Sequence, residues 1–220
     1  MRAAWIVAML SLGAMSVTTT ASAWTAEAPL KEKKKQKEGF KLRQECAKGD
    51  AEACLEAGHR YRNGWGFSRS FSKAHGVYER ACTLGLPAGC TQLGRELLQD
   101  TRSWSDIPEG VRLLDEACAN GDKEGCTHAA RMKVEAIGPL RDRETGLAAL
   151  VENCDGGEPW ACDLLGTYHR DGLYLEADAA KAPALFAKAC DAGLDNGCVH
   201  AAVLAGGVTS SRPAPTRARI

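Results

Sequence analysis

Three sets of residues in this chain have types and spacings that suit chemistry. Ten cysteines stand as five pairs, Cys46/Cys54, Cys82/Cys90, Cys118/Cys126, Cys154/Cys162 and Cys190/Cys198, each pair eight positions apart. Thiols at one fixed spacing can form disulfides, hold a metal or run redox exchange. Ser70 and Lys73 lie three apart, as a hydroxyl nucleophile and a nearby lysine base would. The third set consists of histidines, arginines and acids at recurring positions, groups that grip charged or hydrogen-bonding atoms of another molecule.

Each set also has a plain structural reading. Cys126-x-His128 and Cys198-x-His200 put thiol and imidazole close, but the zinc spacings Cys-x2-Cys and His-x3-His are missing. Thiols joined as disulfides cannot ligate, so no metal is expected. Cys-x-x-Cys-His and short Cys-x-x-Cys pairs are absent, so neither covalent haem nor another cofactor is expected. Ser70-Phe71-Ser72-Lys73 matches the Ser-x-x-Lys signature of penicillin-recognising enzymes, with Ser70 as nucleophile and Lys73 as base. The companion Ser-Asp-Asn and Lys-Thr-Gly motifs are absent. Ser70 and Lys73 are therefore weak catalytic candidates, and an enzyme is not the expected reading.

The elements that carry these residues repeat. The first cysteines of the pairs, at 46, 82, 118, 154 and 190, follow a constant step of 36, and Gly49, Gly85, Gly121, Gly157 and Gly193 keep the same offset. A fixed period of this length marks a repeat protein. Counting from each first cysteine, Asp50, Asp122 and Glu158 at offset 4 and Pro87 and Pro159 at offset 5 are helix-start signals. They open a first helix, A. Offsets 8, 11, 12 and 15, such as Cys54, Ala57, Gly58 and Tyr61, give it one buried stripe. The small residue at offset 12 (Gly58, Gly94, Ala130, Gly166, Ala202) makes sense where another helix presses on it.

Offset 24 then reads Ser70, Asp106, Asp142 and Asp178, caps for a second helix, B, with Asp106 and Glu109 forming a capping box. Within helix B a small residue at offset 28 precedes a large one at offset 32 (Tyr78, Leu114, Leu150, Phe186). The helix ends at the glycine that follows the next cysteine. Repeat three is worn, with Ala130 and Lys133 where Gly and Tyr are usual, and Pro183 predicts a late start for the last helix B. Each cysteine pair thus spans the turn from helix B to the next helix A. Ten cysteines permit hundreds of pairings, but fivefold repetition of one local spacing argues for the local bridges. Closing such a loop stabilises by roughly 2.6 kcal/mol in the chain-entropy treatment.

The remaining features bound location and partners. The chain has 220 residues, with 28 basic and 28 acidic ones, and so offers no global field for nucleic acid or an acidic membrane. Arg2, the apolar run Ala3 to Met15 and Ala21-Ser22-Ala23 read as a signal peptide, residues 1–23, cleaved after Ala23. The apolar run is shorter than the roughly 20 residues of a membrane span. The mature protein is expected to be soluble, without stable membrane insertion, and periplasmic or secreted, where disulfides persist. A flexible lead and the start of a capping helix are expected over 24–37, the repeats over 38–205, and a disordered, Arg-bearing tail over 206–220. The Lys33-Lys34-Lys35 run reads as a solvated capping face.

One face of helix A carries the most functional interest. Offset 10 reads Glu56/Gln92/His128/Leu164/His200, offset 13 reads His59/Arg95/Arg131/Thr167, and offset 17 reads Asn63/Gln99/Glu135/Asp171. These offsets share a helix face. His59, Gln92, Arg95, His128, Arg131 and Glu135 are the candidate binding residues. They suit an extended peptide with charged side chains, unless the face is merely solvated. On this reading, replacing Arg95 and Arg131 by alanine leaves the melting temperature nearly unchanged and abolishes binding.

Gly89-Cys90-Thr91-Gln92-Leu93-Gly94, the turn Asn63-Gly64-Trp65-Gly66, Lys73-Ala74 and Lys181-Ala182 through Ala189-Cys190 together resemble the Sel1-like repeats of the tetratricopeptide-like superfamily. A cysteine pair in every unit is similar to the Helicobacter cysteine-rich proteins. The resemblance implies an all-α, right-handed αα-superhelix stapled by disulfides, a monomer with a concave groove that holds protein or peptide. For the cysteine-rich members it implies an alternative, penicillin binding or weak β-lactamase activity.

Overall fold

A computed structural model describes residues 22–99, 106–136 and 138–206. Ten helices follow in tandem: α1 (Ser22–Ala47), α2 (Ala51–Asn63), α3 (Phe71–Thr83), α4 (Pro87–Gln99), α5 (Ile107–Ala119), α6 (Lys123–Glu135), α7 (Arg143–Asp155), α8 (Pro159–Asp171), α9 (Lys181–Asp191) and α10 (Asp195–Leu204). A 3-10 turn, Gly138–Leu140, separates α6 from α7. No strand occurs among the described residues. The even-numbered helices are the A helices and α3, α5, α7 and α9 are the B helices.

Local chemistry starts each helix where the repeat requires it. The Asp50 carboxylate accepts the Ala53 N–H at 3.0 Å, and Asp122 accepts that of Gly125 at 3.1 Å. Ser70 Oγ accepts the Lys73 N–H at 3.4 Å, and Asp142 accepts that of Thr145 at 3.2 Å. Each satisfies an amide that the first turn leaves orphaned. At the other end of the B helices a glycine takes the left-handed conformation, as Gly85 does at φ +86°. The next amide then reaches back, Leu86 N–H to Ala81 C=O at 3.1 Å, and the same bond recurs at Asp122, Glu158 and Leu194. This reverses the chain within a few residues and brings the two cysteines of each pair together.

All five pairs are bridged, as Cys46–Cys54, Cys82–Cys90, Cys118–Cys126, Cys154–Cys162 and Cys190–Cys198, with Cα–Cα separations of 4.4–4.7 Å. Each bridge ties the end of one helix to the start of the next. The bridges also belong to the packing. Cys162, in the first turns of α8, is 1% exposed and lies in one apolar cluster with Cys154, Leu150, Leu165 and Ala189. Inside each unit the large residue of helix B sits on the small one of helix A. A Cβ on Gly58 would lie 2.2 Å from the Tyr78 ring, and one on Gly166 would lie 2.8 Å from that of Phe186. Tyr78, Leu114, Leu150 and Phe186 are fully buried. These contacts form the core, which runs along the stack from Cys46 to Ala189.

Three details differ from the expectations. Helix α1 runs continuously through 24–37, where a flexible lead was expected; its Ala, Glu, Lys and Gln are strong helix formers. The capping box at Asp106 does not form. Asp106 takes a helical rather than an extended backbone, and Glu109 instead receives two hydrogen bonds from Arg112. In repeat three the buried stripe shifts one place, so Val134 is buried beyond the half-buried Lys133. As Pro183 predicts, helix α9 starts late, with 11 residues against 13 for α7, and Pro183 falls in its first turn, where no amide is needed. Residues 1–21 of the signal peptide and residues 207–220 of the tail lie outside the described residues.

Candidate ligand-binding face

Successive A helices touch one another, α2 to α4, α4 to α6, α6 to α8 and α8 to α10, while B helices pack chiefly on the A helices beside them. The A helices are therefore the inner, closer-spaced layer, and their free face lines the inside of the curve.

That face holds a connected polar ladder in repeats two to four. The Arg95 Nη1 donates to Glu124 Oε1 at 2.6 Å and to Gln92 Oε1 at 3.1 Å. The buried His128 ring places Nε2 3.6 Å from the same Glu124 oxygen and packs against Trp160, with centroids 4.4 Å apart. The Arg131 guanidinium also lies over that indole, 5.3 Å from the ring centroid. Arg131 Nε stands 3.9 Å from Glu135, too long for a hydrogen bond, and Glu135 accepts the Tyr168 hydroxyl at 2.7 Å.

Burial sets the protonation of this ladder. It draws the His128 pKa below the usual histidine value, with Glu124 opposing and Arg95 and Arg131 reinforcing the fall, so the ring is neutral at pH 7. Burial likewise lowers that of Arg95, against the attraction of Glu124. The Glu124 carboxyl is held below its usual value by the His128 ring first, against the opposing effect of burial, and then by Arg95. Burial pushes the Tyr168 hydroxyl far up, and Glu135 adds to this.

The candidate residues fall into two groups. Gln92, Arg95 and His128 meet around Glu124, and Arg131 and Glu135 continue the row. His59 stands apart, its Nδ1 3.2 Å from the Tyr78 hydroxyl, whose pKa burial pushes up to about 12. Ser70 caps α3, and the Lys73 ammonium lies over the Tyr61 ring at 5.7 Å.

The cysteines are not part of this face. Those beside a histidine, Cys126 and Cys198, are bridged, and His200 Nδ1 meets Asp163 at 2.6 Å instead. Cys54 and Cys162 hold the same offset in repeats one and four, and both are bridged and buried. Neither has a thiol to offer a metal or a redox partner. Cys162 therefore drops out as a bearer of chemistry, and its role is to pin α7 to α8. No cluster of three metal-ligating side chains occurs among the described residues.

Glu124 and Trp160 escaped the sequence reading. Both stand at offset 6, and each lies 29 positions after the arginine it meets, Arg95 or Arg131. A search for charge or aromatic partners at that one step would have found both.

Neither a protein-family model nor a curated protein matches the sequence. Among solved structures the chain is similar to a Sel1 repeat protein from Oxalobacter formigenes, at TM-score 0.62 and 16% identity over 75% of this chain and 66% of that one. It is also similar to c5321, a protective antigen of uropathogenic Escherichia coli strains displaying an SLR fold, at TM-score 0.56 and 25% identity over 73% of this chain. The fold of this chain is that of the Sel1-like repeats. Immunity protein Pa5087 from Pseudomonas aeruginosa shares it at TM-score 0.52 and 21% identity, over 71% of this chain and 58% of that one. This Sel1-like chain spans 34% of the length of the antigen and 66% of that of the Oxalobacter protein. These likenesses carry the Sel1-like resemblance and not the narrower one to the Helicobacter cysteine-rich proteins.

Proposed function

We propose that this chain is an exported scaffold whose A-helix face holds an extended protein or peptide segment outside the cytoplasm, in the periplasm or the medium. Five bridged cysteine pairs suit an oxidising compartment. No helix among the described residues is long and apolar enough to cross a membrane.

One observation carries the binding reading. Among the described residues the buried side-chain atoms without a hydrogen-bond partner are Arg95 Nε, Glu96 Oε1, His128 Nδ1 and Arg131 Nε, all on α4 and α6. Burying such groups incompletely paired costs stability. The fold does not require them, because repeat four carries Leu164 and Thr167 at the offsets of His128 and Arg131. Glu96 turns to His75 of α3, but Arg95, His128 and Arg131 share the A-helix face, and such a departure from the cheapest packing in two adjacent repeats is what a recognition site produces. Alternating guanidinium and carboxylate groups along that face suit the charged side chains and backbone of an extended ligand.

Photo-crosslinking tests it. A photoreactive amino acid at Arg131 should give adducts to another protein in the exported fraction, and one at Arg112, on the outer helix α5, should not. Adducts at Arg112 alone would overturn the reading. The alternative, a hydrolase acting on β-lactam or cell-wall substrates through Ser70 and Lys73, is weakened by the cap that Ser70 supplies to α3. Turnover of nitrocefin by the purified protein, lost in Ser70→Ala, would support it instead.

A further inference from the structure

The outer side of the molecule carries a second site. Between the B helices α7 and α9 lies a cleft of about 440 Å³, within the range of small-molecule sites. Leu147 and Val151 of α7 form one wall, Ala184 and Leu185 of α9 the other, and Leu165 of α8 the floor.

The repeat pattern shows that this cleft departs from its neighbours. Offset 33, the α7 wall position of Val151, is Glu79 in α3 and Asp115 in α5. Val151 is 49% exposed, an apolar side chain where α3 and α5 put an acid. Offset 30, the position of Ala184, holds Arg112 in α5, where it pairs with Glu109 and Glu116. At the α5–α7 junction Asp115 pairs with Lys133. Across successive B helices the facing wall positions are Glu79 and Arg112 at α3–α5, Asp115 and Ala148 at α5–α7, and Val151 and Ala184 at α7–α9, so only the last junction has both apolar.

The rim on α9 is basic. Offsets 27 and 34 are Lys181 and Lys188 there, as they are Lys73 and Arg80 in α3, against Glu109 and Glu116 in α5. Both lysines line the cleft, about 10 Å apart along the helix. Each ammonium meets one carboxylate, Asp178 at 3.2 Å and Asp155 at 2.9 Å, and has further N–H donors to offer.

A strained residue stands next to the wall. Tyr174 has φ +64°, the sole non-glycine positive φ among the described residues. Its ring is held edge-on by Tyr168 at 5.0 Å and under Arg143 at 5.3 Å. This conformation delivers the next residue, Leu175, to the cleft lining. Strain retained at a concave apolar site marks a feature kept for more than folding.

We propose that this cleft binds a straight-chain alkyl carboxylate, the chain lying along α9 between the apolar walls and the carboxylate held by Lys181 or Lys188. The ligand is amphiphilic because the walls are apolar, and anionic because two lysines with N–H donors to spare stand at the rim. The site is separate from the A-helix face and stands or falls independently of it.

Calorimetric titration of the oxidised protein with dodecanoate, and separately with dodecyltrimethylammonium, tests the proposal below their micelle concentrations. Saturable binding of the carboxylate, at least tenfold tighter than that of the cation, is expected. Val151→Asp copies the acid of α5 and Ala184→Arg copies its Arg112, so both should keep native circular dichroism and lose at least tenfold in affinity. Absence of saturable dodecanoate binding, equal binding of the cation, or undiminished binding by both variants would overturn it.

Discussion

Arg95 of the second repeat donates to Glu124 of the third at 2.6 Å, across the boundary between units. The pair is part of the packing between α4 and α6 as well as of the candidate site. This changes the expected behaviour of an arginine deletion, because a partner carboxylate would be stranded on a half-buried face. Arg95→Ala should lower stability by about 1–2 kcal/mol after allowing for solvent screening. Arg95→Ala with Glu124→Ala should recover part of that loss. Chemical denaturation of the two single variants and the double variant measures the coupling. A melting temperature unmoved by Arg95→Ala would show that the pair contributes nothing.

Glycines in this fold divide by what stands beside them. Gly58→Ala would drive a methyl into the Tyr78 ring, 2.2 Å away, and should cost about 1–3 kcal/mol. Gly76, mid-way along α3, has nothing within 4 Å of a Cβ and an ordinary φ. Gly76→Ala should therefore stabilise by about 0.5–1 kcal/mol. Denaturation midpoints check both, and the two substitutions should shift them in opposite directions.

His128 makes stability depend on pH. Burial, Arg95 and Arg131 disfavour its charged form in the fold, Glu124 opposing, so the unfolded chain takes up a proton first as pH falls below about 6.5. The contribution is complete above that value and is lost on acidification. His59, lowered mainly by burial, acts in the same sense. The protein should melt at a lower temperature at pH 5.5 than at pH 7.5, and His128→Leu, which copies Leu164, should shrink that difference. Thermal melts at the two pH values decide it, and an unchanged difference in the variant would contradict the assignment.

The sequence carried most of the fold because its signals are local. The eight-residue cysteine spacing, the Ser70 and Asp142 caps and the pairing of Gly58 with Tyr78 all act over short stretches of chain. The spacing predicts the local bridge at Cys162, and only the structure shows that this bridge is also buried in the core. The site was legible only in part. Arg95, His128 and Arg131 stood out by type and period, but their partners Glu124 and Trp160 lie in the following unit, at a step that no local pattern reveals. By sequence Glu135 is only one of the binding residues, whereas in the structure it accepts the Tyr168 hydroxyl, and Glu124 takes Arg95. The α7–α9 cleft escaped notice because Val151 and Ala184 are unremarkable until set beside Asp115 and Arg112.

The binding claim meets its most direct test in a variant that the fold already tolerates. His128→Leu with Arg131→Thr copies Leu164 and Thr167 of repeat four into repeat three. It removes two of the unpaired buried atoms, so stability at neutral pH should hold or rise. Quantitative capture of exported proteins by the native chain and by this variant, both oxidised and both shown to be folded, gives the comparison. Binding to the inner face predicts at least a tenfold loss of the captured partner from the stable variant. Undiminished capture by the variant would contradict it.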